Sequence, residues 1–184
     1  MKNLSRRILG LLGWTLMDTP ERPPRAVLIA YPHTSNWDAL YALLLKQALD
    51  LDAHWVGKDV LFRWPFGGLL RRLGGVPVNR RQRNGFVEQM AAEFASRQSF
   101  MLVMAPEGTR SLTAGWKTGF YRIALAAQVP IGLGFVDYEK RQVGILTYLT
   151  LSGDPQQDIA AIAAHYRDRP GKYPDLASPI RWLE

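Results

Sequence analysis

Short uninterrupted apolar runs alternate along the chain with stretches whose apolar residues recur every three or four positions. Ala26 to Tyr31 (AVLIAY) and Phe100 to Met104 are continuous runs of the kind buried on both faces, which predicts strands. Pro130 to Val136 and Val143 to Leu151 predict two more, joined by the polar turn Asp137 to Arg141; this last pair is the candidate for antiparallel pairing. His54-Trp55-Val56 and Val76-Pro77-Val78 are briefer extended pieces. Helical spacing marks Trp37 to Leu49 and residues 65–73, 84–97, 118–127 and 156–166, with Phe86, Met90 and Phe94 on one face of the third. Strands alternating with helices predict an α/β fold, a mixed, mostly parallel sheet flanked by helices. Without repeats, linkers or low-complexity segments, residues 1–184 read as a single domain.

The N-terminus changes this picture slightly. Residues 3–17 predict an amphipathic helix, the body of an N-terminal segment 1–20, ended by Asp18-Thr19-Pro20-Glu21-Arg22-Pro23-Pro24. The apolar stretch Ile8 to Met17 falls short of the roughly 20 residues that cross a bilayer. No small-x-small site follows it, so it is not read as a cleaved signal. Such a helix either lies in a membrane interface or packs on the protein's own core.

Hydrophobic residues make up 47% and charged residues 21% of the 184, a folded globular balance. The absence of cysteine excludes disulfides, thiolate metal sites and a cysteine nucleophile, and fits a reducing compartment. The net charge of +7 attracts anionic partners. Its carriers Arg6-Arg7, Arg71-Arg72 and Arg80-Arg81 sit beside apolar residues, which favours an anionic lipid surface over nucleic acid. No nucleic-acid recognition motif is present, so nucleic acid is not an expected partner. The segment Arg63 to Leu73 mixes tryptophan, phenylalanine, leucine and arginine, suiting either a headgroup interface or the lining of a core or acyl tunnel.

Two segments carry candidate chemistry, each following a predicted strand end, the edge where open α/β sheets bind ligands. His33-Thr34-Ser35-Asn36-Trp37-Asp38 offers a base and a carboxylate to orient it. On one continuous helix a spacing of five sets the two side chains about 140° apart. The pair therefore requires His33 in the turn before the helix and Asp38 in its first turn; otherwise Asp38 is a first-turn helix charge and His33 a loop residue. Ala105-Pro106-Glu107-Gly108-Thr109-Arg110-Ser111 offers a glycine for close backbone approach, with hydroxyl and guanidinium donors suited to phosphate or carboxylate, or else is a polar turn. No G-x-S-x-G elbow, H-E-x-x-H helix, P-loop or dinucleotide loop is present, and three histidines make no histidine-rich metal cluster; His54 and His165 read as structural or exposed.

Together, His33-x4-Asp38 and Pro106-Glu107-Gly108-Thr109-Arg110 resemble the glycerolipid acyltransferase family, which includes the lysophosphatidate acyltransferases. Val56 to Phe62, Pro65 through Gly75 to Arg80, Lys117-Thr118-Gly119 and Val129-Pro130-Ile131 resemble further blocks of that family, so the motif-bearing core runs over 26–136. The chain departs from the family's pattern at Pro32, Asn79, Gly132 and Gly134.

The resemblance implies a glycerol-3-phosphate acyltransferase-like fold. It implies an O-acyltransferase moving a fatty acyl group from acyl-coenzyme A or acyl-carrier protein to a lysophospholipid-like acceptor, 1-acyl-glycerol-3-phosphate first, without a cofactor. It makes His33 the general base and Asp38 its partner, and has Lys58, Arg80, Glu107, Gly108, Thr109 and Arg110 hold substrate. With no cysteine for an acyl-enzyme, direct transfer is favoured over a serine or threonine intermediate. The expected location is cytoplasmic, peripheral to the inner face of the membrane. A non-phosphate or amine acceptor, and a non-catalytic membrane-surface binding module, remain the alternatives.

Overall fold

The computed structural model describes residues 2–78, 85–167 and 169–183, without the side chains of Lys58 and Val78. Seven strands form one sheet: β1 (Thr15–Met17), β2 (Arg25–Ala30), β3 (Ala53–Lys58), β4 (Gly75–Val78), β5 (Phe100–Met104), β6 (Ile131–Asp137) and β7 (Gln142–Leu149), in the order β1-β7-β6-β2-β5-β3-β4. Every neighbouring pair is parallel except β6 with β7, which is antiparallel. The sheet is thus mixed and mostly parallel, with helices on both faces.

The two-residue alternation of β2 explains its unbroken apolar run. Val27 and Ile29 join one core with Met90 and Phe94 of α4 (Phe86–Ser96), Phe120 and Ile123 of α5 (Gly119–Ala127), and Ile159 and Ile162 of α6 (Pro155–His165). Ala26 and Leu28 face the other way, into a core with Leu9 of α1 (Lys2–Leu11) and Leu45, Ala48 and Leu49 of α2 (Trp37–Leu49). The segment after β3, a 3₁₀ turn at Asp59–Phe62 followed by α3 (Gly67–Arg72), packs on this second side: Phe62 lies against Trp55, with ring centroids 5.5 Å apart. Asp154 caps α6, its carboxylate accepting from the N–H groups of Gln156 and Gln157 ahead of Pro155 at the first helical turn.

The helix expected over 3–17 is shorter. It ends at Leu11, the chain turns at Gly13 with φ +73°, and Thr15–Met17 becomes an edge strand beside β7. The reason lies far along the chain: Gly144 of β7 has no side chain, and a Cβ there would sit 2.0 Å from the Met17 carbonyl oxygen. Of the two placements left open for this helix, α1 packs on α2. Its buried stripe is Ser5 and Leu9, Ser5 Oγ donates to Gln47 Oε1 (2.8 Å) and Arg6 Nε donates to the Ala48 carbonyl (3.0 Å). Leu4, Leu11 and Leu12 stay exposed. Among the described residues, no helix is long and apolar enough to cross a membrane. Beyond α6, residues 169–183 run irregularly back across the sheet edge, a course no periodicity in the sequence marks.

Candidate active site

Three neighbouring parallel strands build the site. β6, β2 and β5 point the same way, with Ala30 paired to Gly134 on one side and Ile29 to Met104 on the other. Their carboxyl ends therefore release Tyr138, His33 and Glu107 at one edge of the sheet. This is the edge where open α/β sheets leave a crevice.

His33 lies in the turn before α2 and Asp38 in the helix's first turn, the arrangement their spacing demanded. Asp38, only 6% exposed, reaches back over the turn. Its Oδ2 accepts from the backbone N–H of Thr34 (3.0 Å) and of Ser35 (2.9 Å) and lies 3.1 Å from His33 Nδ1. Its Oδ1 accepts from the Tyr138 hydroxyl at 2.6 Å. Burial pushes the Asp38 carboxyl up, but hydrogen bonds from His33, Tyr138 and the Ser35 backbone outweigh it and hold the group below the usual carboxylate range. Burial and the Asp38 charge in turn push the Tyr138 hydroxyl well above its ordinary value, so it stays a donor. An ionised carboxylate only accepts, so this network assigns the proton on Nδ1 to the bond with Asp38 and leaves Nε2 as the basic nitrogen. The His33 side chain is 24% exposed, and among the described residues nothing bonds to Nε2.

Glu107 sits behind this pair, 1% exposed. Its Oε2 accepts from the His33 backbone N–H (2.9 Å) and its Oε1 from the Ser178 N–H (3.3 Å). Burial pushes its carboxyl up to about 7; the two backbone bonds and His33 offset part of that, and the Asp38 charge adds to it. Glu107 therefore ties the His33 turn to the C-terminal segment, and both its oxygens are engaged within the protein. Tyr31 reinforces the tie by donating to the Ser178 carbonyl at 2.8 Å.

Gly108 takes φ +68°, a conformation glycine holds without strain, and the Lys117 ammonium folds against it: a Cβ at this position would lie 2.8 Å from Nζ. Thr109 and Arg110 are exposed, and Arg110 Nη1 donates to Asn36 Oδ1, bringing a guanidinium to the start of α2. On the opposite rim Lys172 Nζ stands 5.1 Å from the Trp37 ring and 5.9 Å from those of Tyr138 and Tyr173. Arg110, Lys117 and Lys172 have no carboxylate partner among the described residues, so the mouth around His33 carries positive charge.

The structure thus gathers His33, Asp38, Glu107, Gly108, Thr109 and Arg110 at one edge. Arg80 falls outside the described residues, and the Lys58 side chain likewise; the Lys58 backbone ends β3 at the same edge. His54 lies at the start of β3, at the far edge, with Nε2 2.9 Å from Asp52 Oδ1. Three contributors escaped the sequence reading. Tyr138 had a usable signal, since it directly follows a strand end, but it lay within a stretch read as a turn. Ser178 and Lys172 had none, because they belong to the irregular tail, which is anchored by the Tyr173 N–H on Thr34 Oγ1 (3.2 Å) and by Arg169 beside Asp137 (3.7 Å). No group of three or more metal-ligating side chains comes together among the described residues.

Comparison with known proteins bears on the family and the fold. A family model described as Acyltransferase matches residues 17–132, a span that includes His33, Asp38 and residues 107–110. No curated protein matches the chain. Among solved structures, the 1-acyl-sn-glycerophosphate (LPA) acyltransferase PlsC from Thermotoga maritima is similar in fold, with a TM-score of 0.59 at 14% identity, covering 93% of this chain and 80% of that one.

Proposed function

This chain belongs to the acyltransferase family, and from that premise we propose that it transfers a fatty acyl group from a thioester donor to the hydroxyl of a lysolipid acceptor, with His33 as general base. The observation that carries the reading is the His33–Asp38 pair at the carboxyl edge of the sheet, with Nε2 free of protein partners among the described residues.

The chemistry proceeds from that geometry. The acceptor hydroxyl hydrogen-bonds to His33 Nε2, which takes its proton as the oxygen attacks the thioester carbonyl. The imidazolium so formed is stabilised by Asp38, whose carboxylate the Tyr138 hydroxyl and two backbone N–H groups hold in place. Collapse of the tetrahedral intermediate expels the thiolate, which recovers the proton from His33. Arg110 and Lys117 hold a phosphate on the acceptor; Arg80 and Lys58 are assigned to substrate by their motif positions alone. Glu107 and Gly108 shape the loop and Thr109 offers its hydroxyl. The acceptor read first is a 1-acyl-glycerol-3-phosphate and the donor acyl-coenzyme A or acyl-carrier protein. The reaction is placed by this reading at the inner, cytoplasmic face of the membrane, with the protein peripheral to it.

The test is thiol release from long-chain acyl-coenzyme A and acyl-carrier protein, with and without a panel of lysolipids and uncharged or amine acceptors. Release that depends on a phosphate-bearing lysolipid supports the reading. Equal release with uncharged or amine acceptors contradicts the assigned acceptor, and no release with any pair contradicts the transferase.

A further inference from the structure

Exposed apolar side chains are unevenly distributed over this protein. Trp64 is 94% and Phe66 66% exposed, and Val60, Leu61 and Leu69 are also out in solvent, five large apolar residues within ten positions. Single exposed hydrophobics need no explanation, but a contiguous group marks an interaction surface. Trp64 and Phe66 therefore line neither a core nor an enclosed tunnel.

The segment is built to project them. Phe62 is buried as its anchor, and a Cβ at Gly57 or Gly75 would come within 3.0 Å of its ring. Gly67 closes the turn with its N–H on the Arg63 carbonyl at 2.9 Å, and a Cβ there would strike the Phe62 carbonyl oxygen at 1.9 Å. The Arg71 guanidinium lies 5.5 Å over the Phe62 ring. The backbone is thus fastened to β3 and β4 while the flanking side chains point away.

Three features select the partner. Arg63, Arg71 and Arg72 are exposed in the same segment against one acid, Asp59. Apolar rings interspersed with arginine match an anionic headgroup layer, where rings enter the acyl boundary and guanidinium groups meet phosphate. The segment leaves the carboxyl end of β3, the edge at which β2, β5 and β6 present the His33 site. On the same face and edge stand the exposed Leu11 and Leu12 at the end of α1 and Trp37 and Leu40 in the first turns of α2. Trp14 packs against Tyr41 with the rings tilted by 32° and centroids 3.9 Å apart, and meets Tyr138 edge-on at 5.3 Å, which joins the α1 end to the site.

We infer that residues 59–72 form the surface that docks this protein on an anionic lipid bilayer, turning the mouth of the His33 site toward the membrane. The inference rests on the lysolipid-acyltransferase reading for its purpose but not for its test. Binding to phosphatidylcholine vesicles, with and without 30 mol% phosphatidylglycerol, is measured by co-sedimentation for the wild type, for Trp64→Ser/Phe66→Ser and for Arg63→Gln/Arg72→Gln. The expected result is binding that needs the anionic lipid, drops at least about ten-fold in the aromatic variant, and drops several-fold in the arginine variant or in 0.5 M salt. An unchanged unfolding midpoint confirms that the variants fold. If the transferase reading holds, the aromatic variant also loses turnover on acceptor embedded in vesicles while keeping it on a monomeric short-chain acceptor. Wild-type protein that ignores anionic vesicles, or an aromatic variant that binds as tightly as wild type, overturns the docking surface whether or not turnover is found. Self-association of the wild type without vesicle binding, lost in the aromatic variant, overturns it too, in favour of a second copy.

Discussion

Replacing Glu107 with glutamine removes a titration that the fold makes expensive. The carboxyl sits at about 7 in the folded protein against an ordinary 4.5, because burial disfavours its charge more than two backbone N–H groups restore it. Below pH 4.5 both folded and unfolded chains hold the proton, and the titration has no effect on stability. As pH rises toward 7 the unfolded chain releases the proton while the folded one retains it, so stability is lost progressively, and the loss is complete above the folded value. At ~1.4 kcal/mol per pH unit the full loss is about 3 kcal/mol, of which about 2–3 kcal/mol falls between pH 5 and pH 8. Glutamine has no such titration. It offers one acceptor oxygen where two N–H donors wait, which costs roughly 1–3 kcal/mol at every pH. Urea unfolding followed by tryptophan fluorescence, at pH 5 and pH 8, gives the comparison. The stability advantage of wild type over Glu107→Gln is expected to shrink by about 2–3 kcal/mol between those pH values. An advantage that stays constant would refute the placement of Glu107 as a buried carboxyl tying His33 to Ser178.

Other variants separate roles that the geometry assigns to neighbours. Tyr138→Phe removes one hydrogen bond to a charged oxygen, about 1.5–3 kcal/mol, and is expected to lower kcat/KM some ten- to hundred-fold, since Asp38 then loses a partner that holds it against His33; an unchanged kcat/KM contradicts that role. Arg110→Ala is expected to raise the acceptor KM at nearly constant kcat, and steady-state kinetics showing neither changed would remove it from the phosphate site. Asp154→Ala removes the α6 cap, away from the site, and is expected to cost about 1 kcal/mol in unfolding with turnover unaffected; a loss of turnover would show that α6 bears on the chemistry.

What the sequence made legible follows from how each element is specified. β2 and β5 announced themselves because strands buried on both faces need apolar residues at every position, and AVLI and FMLVM meet that need locally. Spacing set only the condition under which His33 and Asp38 could meet, and the family resemblance supplied the pairing; the start of α2 at Trp37 meets that condition. β1 was not, because the choice of strand over helix for Thr15–Met17 depends on Gly144, more than a hundred residues away. Tyr138 and Ser178 bond across the fold to Asp38 and Glu107, and no local period records such a contact. The family resemblance identified the residues of the His33 turn and the Glu107 loop, but only the fold shows that Glu107 faces inward while Arg110 faces out.

The central claim is that His33 takes the proton from the acceptor hydroxyl. Acceptor-dependent thiol release from a long-chain acyl thioester, compared between wild type and His33→Ala under identical lipid conditions, tests it most directly; with no cysteine, the protein adds no thiol of its own. The expected result is a folded variant, by circular dichroism and unfolding midpoint, whose acceptor-dependent release falls by at least about a hundred-fold. A folded His33→Ala variant that turns over at the wild-type rate would contradict the account.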